Sequence, residues 1–289
     1  MKIITNLKDL QQERQSLAKT AKSVGYVATM GYLHEGHQAL MRHSKAENDI
    51  TVLSIFVNPL QFGAGEDFET YPRDMERDQQ IAEQEGIDIV FMPDASAMYP
   101  GDSTIKLQVT DRVDVLCGKS RPGHFDGVVT VLAKLFHLIQ PDRAYFGLKD
   151  AQQVAVVQAL VDDLNFPLEV VPVATVREAD GLAKSSRNVY LSEQERQEAP
   201  VIQQALQQAK QLIANGENEA EKVIKHVKEF IISRTSGRID YVEILSYPEL
   251  KPVEDISERI IIAAAVFFEK ARLIDNIVLE ADGSRMDRF

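Results

Sequence analysis

A chain of 289 residues with 44% hydrophobic content is long enough for two domains and a sizeable core, and its composition is neither disordered nor membranous. A net charge of −12 disfavours a general attraction to nucleic acid over most of the surface, and the one cysteine, Cys117, excludes an intrachain disulfide or a cysteine-built zinc site. The stretch from Met1 to Lys8 has no continuous apolar run, and no run elsewhere is long enough to span a bilayer, so a cytoplasmic protein is expected.

Leu7, Leu10, Leu17 and Ala21 recur at near-helical spacing and predict a helix from Leu7 to Lys22, followed by a buried strand from Val24 to Ala28. That strand runs into Thr29-Met30-Gly31-Tyr32-Leu33-His34-Glu35-Gly36-His37, which opens a helix reaching Asn48. His34 and His37, three residues apart, share one face of its first turn. Gly31 and Gly36 let the backbone come close to a ligand. Unpaired N–H groups and the positive end of the dipole at a helix start suit a phosphate. On the residues alone, the two histidines serve either a nucleotide's phosphates or the cap of the helix. A zinc-protease reading fails, because Glu35-Gly36-His37 has one residue between Glu and His where that pattern needs two.

Ile50 to Val57 is a second strand rich in β-branched residues, closed by Asn58-Pro59-Leu60-Gln61-Phe62-Gly63. A charged helix from Tyr71 to Gly86 and a strand from Ile87 to Met92 follow. This alternation predicts an α/β fold with a Rossmann-like, doubly wound parallel sheet, which binds ligands at the carboxyl ends of its strands. A short strand is expected at Leu107-Gln108-Val109. Cys117-Gly118-Lys119-Ser120 ends like a P-loop, but Val113 stands where its first glycine belongs.

Arg121-Pro122-Gly123-His124-Phe125-Asp126-Gly127 leads into an apolar helix from Val128 to Ile139, with Arg121 and His124 either capping it or serving a site. Arg143 to Gly147 reads as a strand, Leu148-Lys149-Asp150-Ala151-Gln152-Gln153 as a helix start, and Leu168 to Val173 as the next strand. Asp180 to Asn188 is a polar loop with two hydroxyls and two cations. Two helical stretches, Glu193 to Ala214 and Glu219 to Ile232, precede strand-like runs at Ile239 to Leu245, Arg259 to Phe268 and Ala271 to Leu279. They predict a smaller C-terminal α+β domain with an antiparallel sheet, dividing the chain into a catalytic domain over 1–176 and a lid domain over 177–289.

His34-Glu35-Gly36-His37 resembles the His-x-Gly-His motif of the nucleotidyltransferase superfamily, to which class I aminoacyl-tRNA synthetases also belong. Further segments carry the likeness in order along the chain: Phe56-Val57-Asn58-Pro59-x-Gln61-Phe62, Tyr71-Pro72-Arg73, Arg121-Pro122-Gly123-His124-Phe125, Phe146-Gly147-x-Lys149-Asp150-x-Gln152-Gln153 and Ser185-Ser186-Arg187-Asn188. Together they resemble the pantothenate synthetase (pantoate–β-alanine ligase) family. The resemblance implies condensation of D-pantoate with β-alanine at the expense of ATP, through a pantoyl-adenylate, with release of AMP and pyrophosphate.

It also implies the site. His34, His37, Lys149, Ser185, Ser186 and Arg187 would stabilise charge on the phosphates. Met30, Gly31, Gly147, Asp150, Val176 and Lys184 would complete the ATP site, and Gln61 and Gln153 would hold pantoate and β-alanine. Lys184 stands where the family commonly has methionine, and a phosphate contact through its ammonium or backbone N–H is expected. The loop carrying it is expected to close over the triphosphate. Mg²⁺ would ride on the phosphates, with Asp78 or Asp150 orienting it or Lys149, and no metal is expected on protein ligands alone. The implied partners are these small molecules and a second copy of the chain in a homodimer, with no nucleic acid and no membrane. The nearest rival is a nucleotidyltransferase that adenylylates a phosphorylated acceptor, which would want a basic acceptor site in place of two glutamines. A nucleotide- or RNA-binding module is disfavoured by the acidic balance.

Overall fold

Apolar β-branched runs alternate with helical periods through the first 173 residues. In the computed structural model, which describes residues 1–284, each such run becomes a strand fed by a helix. The elements are β1 (Lys2–Ile4), α1 (Leu7–Leu17), β2 (Val24–Thr29), α2 (Glu35–Glu47), β3 (Ile50–Ile55), α3 (Met75–Gln84), β4 (Ile89–Phe91), α4 (Ala95–Met98), α5 (Leu116–Ser120), α6 (His124–Ile139), β5 (Arg143–Gly147), α7 (Ala151–Asp163) and β6 (Glu169–Val173). Two compact units emerge. The first comprises Met1–Val113, Cys117–Gly147 and Val156–Val173; the second comprises Asp114–Leu116, Leu148–Ala155 and the chain from Ala174 onward.

The first unit holds a parallel sheet in the order β1-β4-β3-β2-β5-β6. Strand order reverses beside β2, and such a switch point is where open α/β sheets bind ligands. Val27, Leu53, Val90 and Tyr145 from four adjacent strands pack with Leu40 and Met41 of α2, all buried. Each buried side chain of this size contributes about 1.5–3 kcal/mol. The Ser44 and Thr51 hydroxyls bond to each other at 2.8 Å, leaving neither buried and unpaired.

The second unit carries α8 (Glu193–Glu198), α9 (Val201–Ala214), α10 (Ala220–Ile232) and an antiparallel sheet, β7 (Arg238–Ser246), β8 (Ile260–Phe267) and β9 (Arg272–Leu279), with β8 central. One face of β8, Ile262 and Ala264, packs with Leu206 and Val227 of the helices. The other, Ile261 and Ala263, packs with Leu116, Ala151 and Tyr247. Burial on both faces explains why β8 reads as one apolar run. Among the described residues no helix is long and apolar enough to cross a membrane.

The doubly wound parallel sheet and the separate antiparallel sheet are those that the sequence pattern predicts; several boundaries differ. The N-terminal residues Lys2–Ile4 form an edge strand beside β4. No strand forms at Leu107-Gln108-Val109, where the Val109 N–H donates to the Asp126 carboxylate at 2.9 Å instead of to a ladder. The first helix stops at Leu17. The third starts at Met75 rather than Tyr71 because the Asp74 side chain caps it. Pro200, which has no N–H, splits the expected helix from Glu193 to Ala214 into α8 and α9.

Candidate active site

The loop after β2 is built around a buried carboxylate. Gly31 adopts a φ of +84°, and an added Cβ there would lie 2.9 Å from Asp78 Oδ2. That close approach lets the Tyr32 and Leu33 amides donate to Asp78 Oδ2 and Oδ1 at 2.8 and 2.7 Å. Burial pushes the Asp78 carboxyl above its ordinary pKa, opposed by these two amides. The Arg77 guanidinium lies 5.2 Å from the centre of the Tyr32 ring. Asp78, a candidate for orienting magnesium or Lys149, thus has both oxygens engaged in shaping the histidine loop.

His34 is the N-cap of α2, one residue before the helix proper. Its Nδ1 accepts from the Gly36 N–H at 3.1 Å, and His37 Nδ1 accepts from the His34 N–H at 3.3 Å. The ring centroids lie 4.1 Å apart. With Nδ1 accepting in each neutral ring, the proton resides on Nε2, making it the donor. Of the two roles left open by the sequence, these bonds show the cap: the Nδ1 atoms of both rings hold backbone N–H groups at the helix start.

Gln61 belongs to the same unit. It ends a 3₁₀ turn, Pro59–Gln61, after β3, and its amide is oriented at both ends. Asn58 Nδ2 donates to Gln61 Oε1 at 3.1 Å, and Gln61 Nε2 donates to Met30 Sδ at 3.1 Å. Asn58 is itself buried and fixed by the Tyr99 hydroxyl at 2.9 Å and by Gly127 O at 3.0 Å. The Gln61 carbonyl is held by His124 Nδ1 at 2.8 Å and Arg121 Nη2 at 3.4 Å. Arg121 in turn makes bonds of 2.7 and 2.5 Å to the two oxygens of Glu66. Burial raises the Glu66 carboxyl, but the bonds and charge of Arg121 outweigh it and hold Glu66 below its usual range. Arg121 and His124 do not cap α6, whose N-cap is Gly123 without a side-chain bond; they pin the glutamine turn.

In the second unit, Lys149 and Asp150 lie in a 3₁₀ turn, Leu148–Asp150, with Lys149 Nζ 3.7 Å from Asp150 Oδ1. Gln153 sits half-buried in the first turn of α7, while the neighbouring Gln152 is buried and donates to Val115 O at 2.9 Å. The stretch around Val176 forms a small hairpin. Arg177 and Ala183 are bridged, and the Lys184 N–H donates to Val176 O at 2.9 Å. Lys184 Nζ is 2.8 Å from Glu178 Oε2. The two groups expected to meet phosphate are therefore engaged here, the N–H in the hairpin and the ammonium in an ion pair. Ser185 caps a 3₁₀ turn, Ser186–Tyr190, by accepting from the Arg187 N–H at 3.3 Å, and Ser186 is buried.

Met30, Gly31, His34, His37 and Gln61 are thus gathered in the first unit; Lys149, Asp150, Gln153, Val176, Lys184, Ser185, Ser186 and Arg187 belong to the second, and Gly147 ends β5. The sequence alone marks no role for Asn58, Tyr99, Glu66 or Gly127: Asn58 lies in the motif over 56–62, whereas nothing local singles out Tyr99 or Glu66.

The Pantoate-beta-alanine ligase family profile matches residues 2–278. Pantothenate synthetase of Geobacillus thermodenitrificans is 59% identical over 280 residues, covering 97% of each chain. That of Bacillus subtilis is 57% identical over 280 residues, covering 97% of this chain and 98% of its own. The crystal structure of pantothenate synthetase from Thermus thermophilus superposes with a TM-score of 0.90 at 44% identity, covering 97% of this chain and 99% of that one. Pantoate–β-alanine ligase from Francisella tularensis, solved in complex with "Beta-gamma ATP" and β-alanine, gives 0.78 at 32% identity, with 96% and 97% covered. Matched along nearly its whole length in sequence and in fold, the chain belongs to the pantoate–β-alanine ligase family.

Proposed function

We propose that this chain, as a pantoate–β-alanine ligase, works in two steps whose charge handling falls to the residues described above. A pantoate carboxylate oxygen attacks the α-phosphorus of ATP, the bond to the β-phosphate breaks, and pyrophosphate leaves. The β-alanine amine then attacks the acyl carbon of pantoyl-adenylate, the acyl–oxygen bond breaks, AMP leaves and the nitrogen gives a proton to solvent. The observation that carries this reading is the bond between Gln61 and Met30, which joins the proposed acceptor-acid ligand to the histidine loop at 3.1 Å. Pantoate and the nucleotide would thereby meet at one place.

The first step brings an anion to an anion, so it needs donors that strengthen as charge moves onto the phosphate oxygens. His34 and His37 supply Nε2 protons. Lys149 and Arg187 supply positive charge, and Ser185 and Ser186 supply hydroxyl donors. The main chain at Met30, Gly31, Gly147 and Val176 lines the adenosine. Lys184 adds its ammonium by exchanging Glu178 for a phosphate. Gln61 and Gln153 hold pantoate, each amide offering the donor and the acceptor that a hydroxy acid requires, and they receive β-alanine afterwards.

The magnesium ion implied by the family resemblance would be held chiefly by the nucleotide's phosphates. Asp150, with half its side chain exposed beside Lys149, is the carboxylate suited to orient that ion through water. When bound, it would neutralise phosphate charge. We further propose a homodimer, the assembly implied by the family resemblance, in the cytoplasm; sedimentation equilibrium tests the first. Adenylylation of a phosphorylated acceptor is not favoured by the two relatives described above, both of them pantothenate synthetases. The test is exchange of labelled pyrophosphate into ATP without β-alanine. Exchange that requires pantoate supports the reading, and exchange indifferent to pantoate would defeat it.

A further inference from the structure

Strand β9 carries a buried Asp275 and a buried Asn276 side by side. Consecutive strand residues point to opposite faces, and each of the two has buried apolar neighbours. Leu273, Ile277 and Leu279 share the Asp275 face with the α9–α10 core, and Val278 shares the Asn276 face with Ala151 and Tyr247. A buried carboxylate or amide in such surroundings is unfavourable unless its hydrogen bonds are made. The bonds both residues make go to the segments that carry the second unit's proposed ATP ligands.

Asn276 Nδ2 donates to Leu148 O at 3.0 Å and to Lys149 O at 2.8 Å, holding the Lys149 turn by its backbone. Asp275 receives both ends of the Arg177 guanidinium, Nη1 at 2.6 Å and Nη2 at 3.0 Å. Arg177 Nη1 also donates to Gly181 O at 3.0 Å across the hairpin, which closes at the Arg177–Ala183 bridge and runs directly into Lys184, Ser185 and Ser186. Asp275 Oδ1 further accepts from the Asn276 N–H at 2.8 Å, so the two anchors are themselves coupled.

We propose that Asp275 and Asn276 are positioning residues for nucleotide chemistry: one dipeptide sets the spacing between Lys149 and the Ser185–Arg187 segment. This rests on the ATP role proposed for those residues. A shift of about 1 Å in a positioned group can lower a rate by about a hundredfold, and a regular strand is a stiffer reference than either loop.

The experiment is a double-variant cycle in pyrophosphate exchange, with Asn276→Ala, Lys149→Ala and the two combined, each checked for folding by circular dichroism. Asn276→Ala is expected to lower exchange by about tenfold to a hundredfold and to add nothing in the Lys149→Ala background. A severe loss in Lys149→Ala joined to fully multiplicative losses in the pair would overturn the positioning role alone. Wild-type exchange in Lys149→Ala would overturn the ATP role on which it rests. Should Asn276→Ala not fold, Asn276→Ser, which keeps a donor, replaces it in the same cycle. Asp275→Asn, which keeps the shape and drops the charge, is expected to raise the KM for ATP and leave that for pantoate unchanged. A lowered melting temperature with both KM values intact would mark Asp275 as a packing residue and overturn its half of the proposal.

Discussion

Replacing Gly127 by alanine would strike the glutamine turn without substituting any proposed ligand. A Cβ on Gly127 would lie 2.2 Å from Leu60 O, 2.4 Å from Leu60 C and 2.6 Å from Gln61 N. These are backbone atoms, so no side-chain rotation relieves the clash. Restoring even a tight contact of 3.0–3.4 Å requires a movement of about 1 Å. Val128, Val129 and Leu132 of α6 are buried, so the turn should yield rather than the helix. Overpacking of this kind typically costs about 1–3 kcal/mol in stability, which the fold can absorb. The displacement, however, carries Gln61 off its bonds to Asn58 and Met30, and a misplacement of this size costs about a hundredfold. Steady-state kinetics with varied pantoate should show kcat/KM reduced by that order, while ATP titration without pantoate should give an affinity little changed. A folded Gly127→Ala protein with wild-type pantoate kinetics would refute the reasoning.

Four further outcomes are expected. His37→Ala should lower the adenylation rate by about a hundredfold to a thousandfold, near 3 kcal/mol of barrier, with the circular dichroism spectrum unchanged; near-normal exchange would remove His37 from the chemistry. Gln153→Ala should raise the KM for pantoate far more than the dissociation constant for ATP, and an equal loss of both would move Gln153 out of the acid site. Lys184→Met should raise the KM for ATP by up to about fivefold and weaken its salt dependence, since an ion pair at this exposure contributes on the order of 1 kcal/mol; if neither changes, the charge at 184 has no part in nucleotide binding. Glu66→Gln tests the clamp by pH. The Glu66 carboxyl is held below its ordinary value of 4.5, so its contribution is present above that value and lost as pH falls through the lowered one. Urea unfolding should therefore show the variant about 1–3 kcal/mol less stable at pH 7, with the gap closing below pH 4.5; a gap that persists under acid would place the effect outside that ionisation.

The parallel sheet was legible because its strands are short β-branched runs separated by helical periods, a local signal. The histidine pair was legible for the same reason, its spacing lying within one helical turn. What holds these groups was not. Tyr32 and Asp78 are 46 residues apart, Arg121 and Glu66 are 55, and Arg177 and Asp275 are 98. Such bonds join side chains to distant backbone or charge and leave no periodicity to read. Lys2–Ile4 escaped notice because three residues carry too little pattern. Leu107 to Val109 misled in the opposite sense, its alternation being real but its backbone committed to Asp126. The ion pair between Lys184 and Glu178, six residues earlier, was likewise not legible, since it depends on the hairpin that brings the two side chains together.

The central claim, that pantoate is activated on its carboxylate by the α-phosphorus, can be followed by one labelled atom. Pantoate carrying ¹⁸O in its carboxyl group, turned over with ATP and β-alanine, should yield AMP containing one ¹⁸O, because the acyl–oxygen bond breaks in the second step and leaves the bridging oxygen on phosphorus. Mass spectrometry of the AMP reads the result directly. Unlabelled AMP with the ¹⁸O recovered in inorganic phosphate or pyrophosphate would contradict attack at the α-phosphorus and with it the roles given to His34, His37 and Gln61.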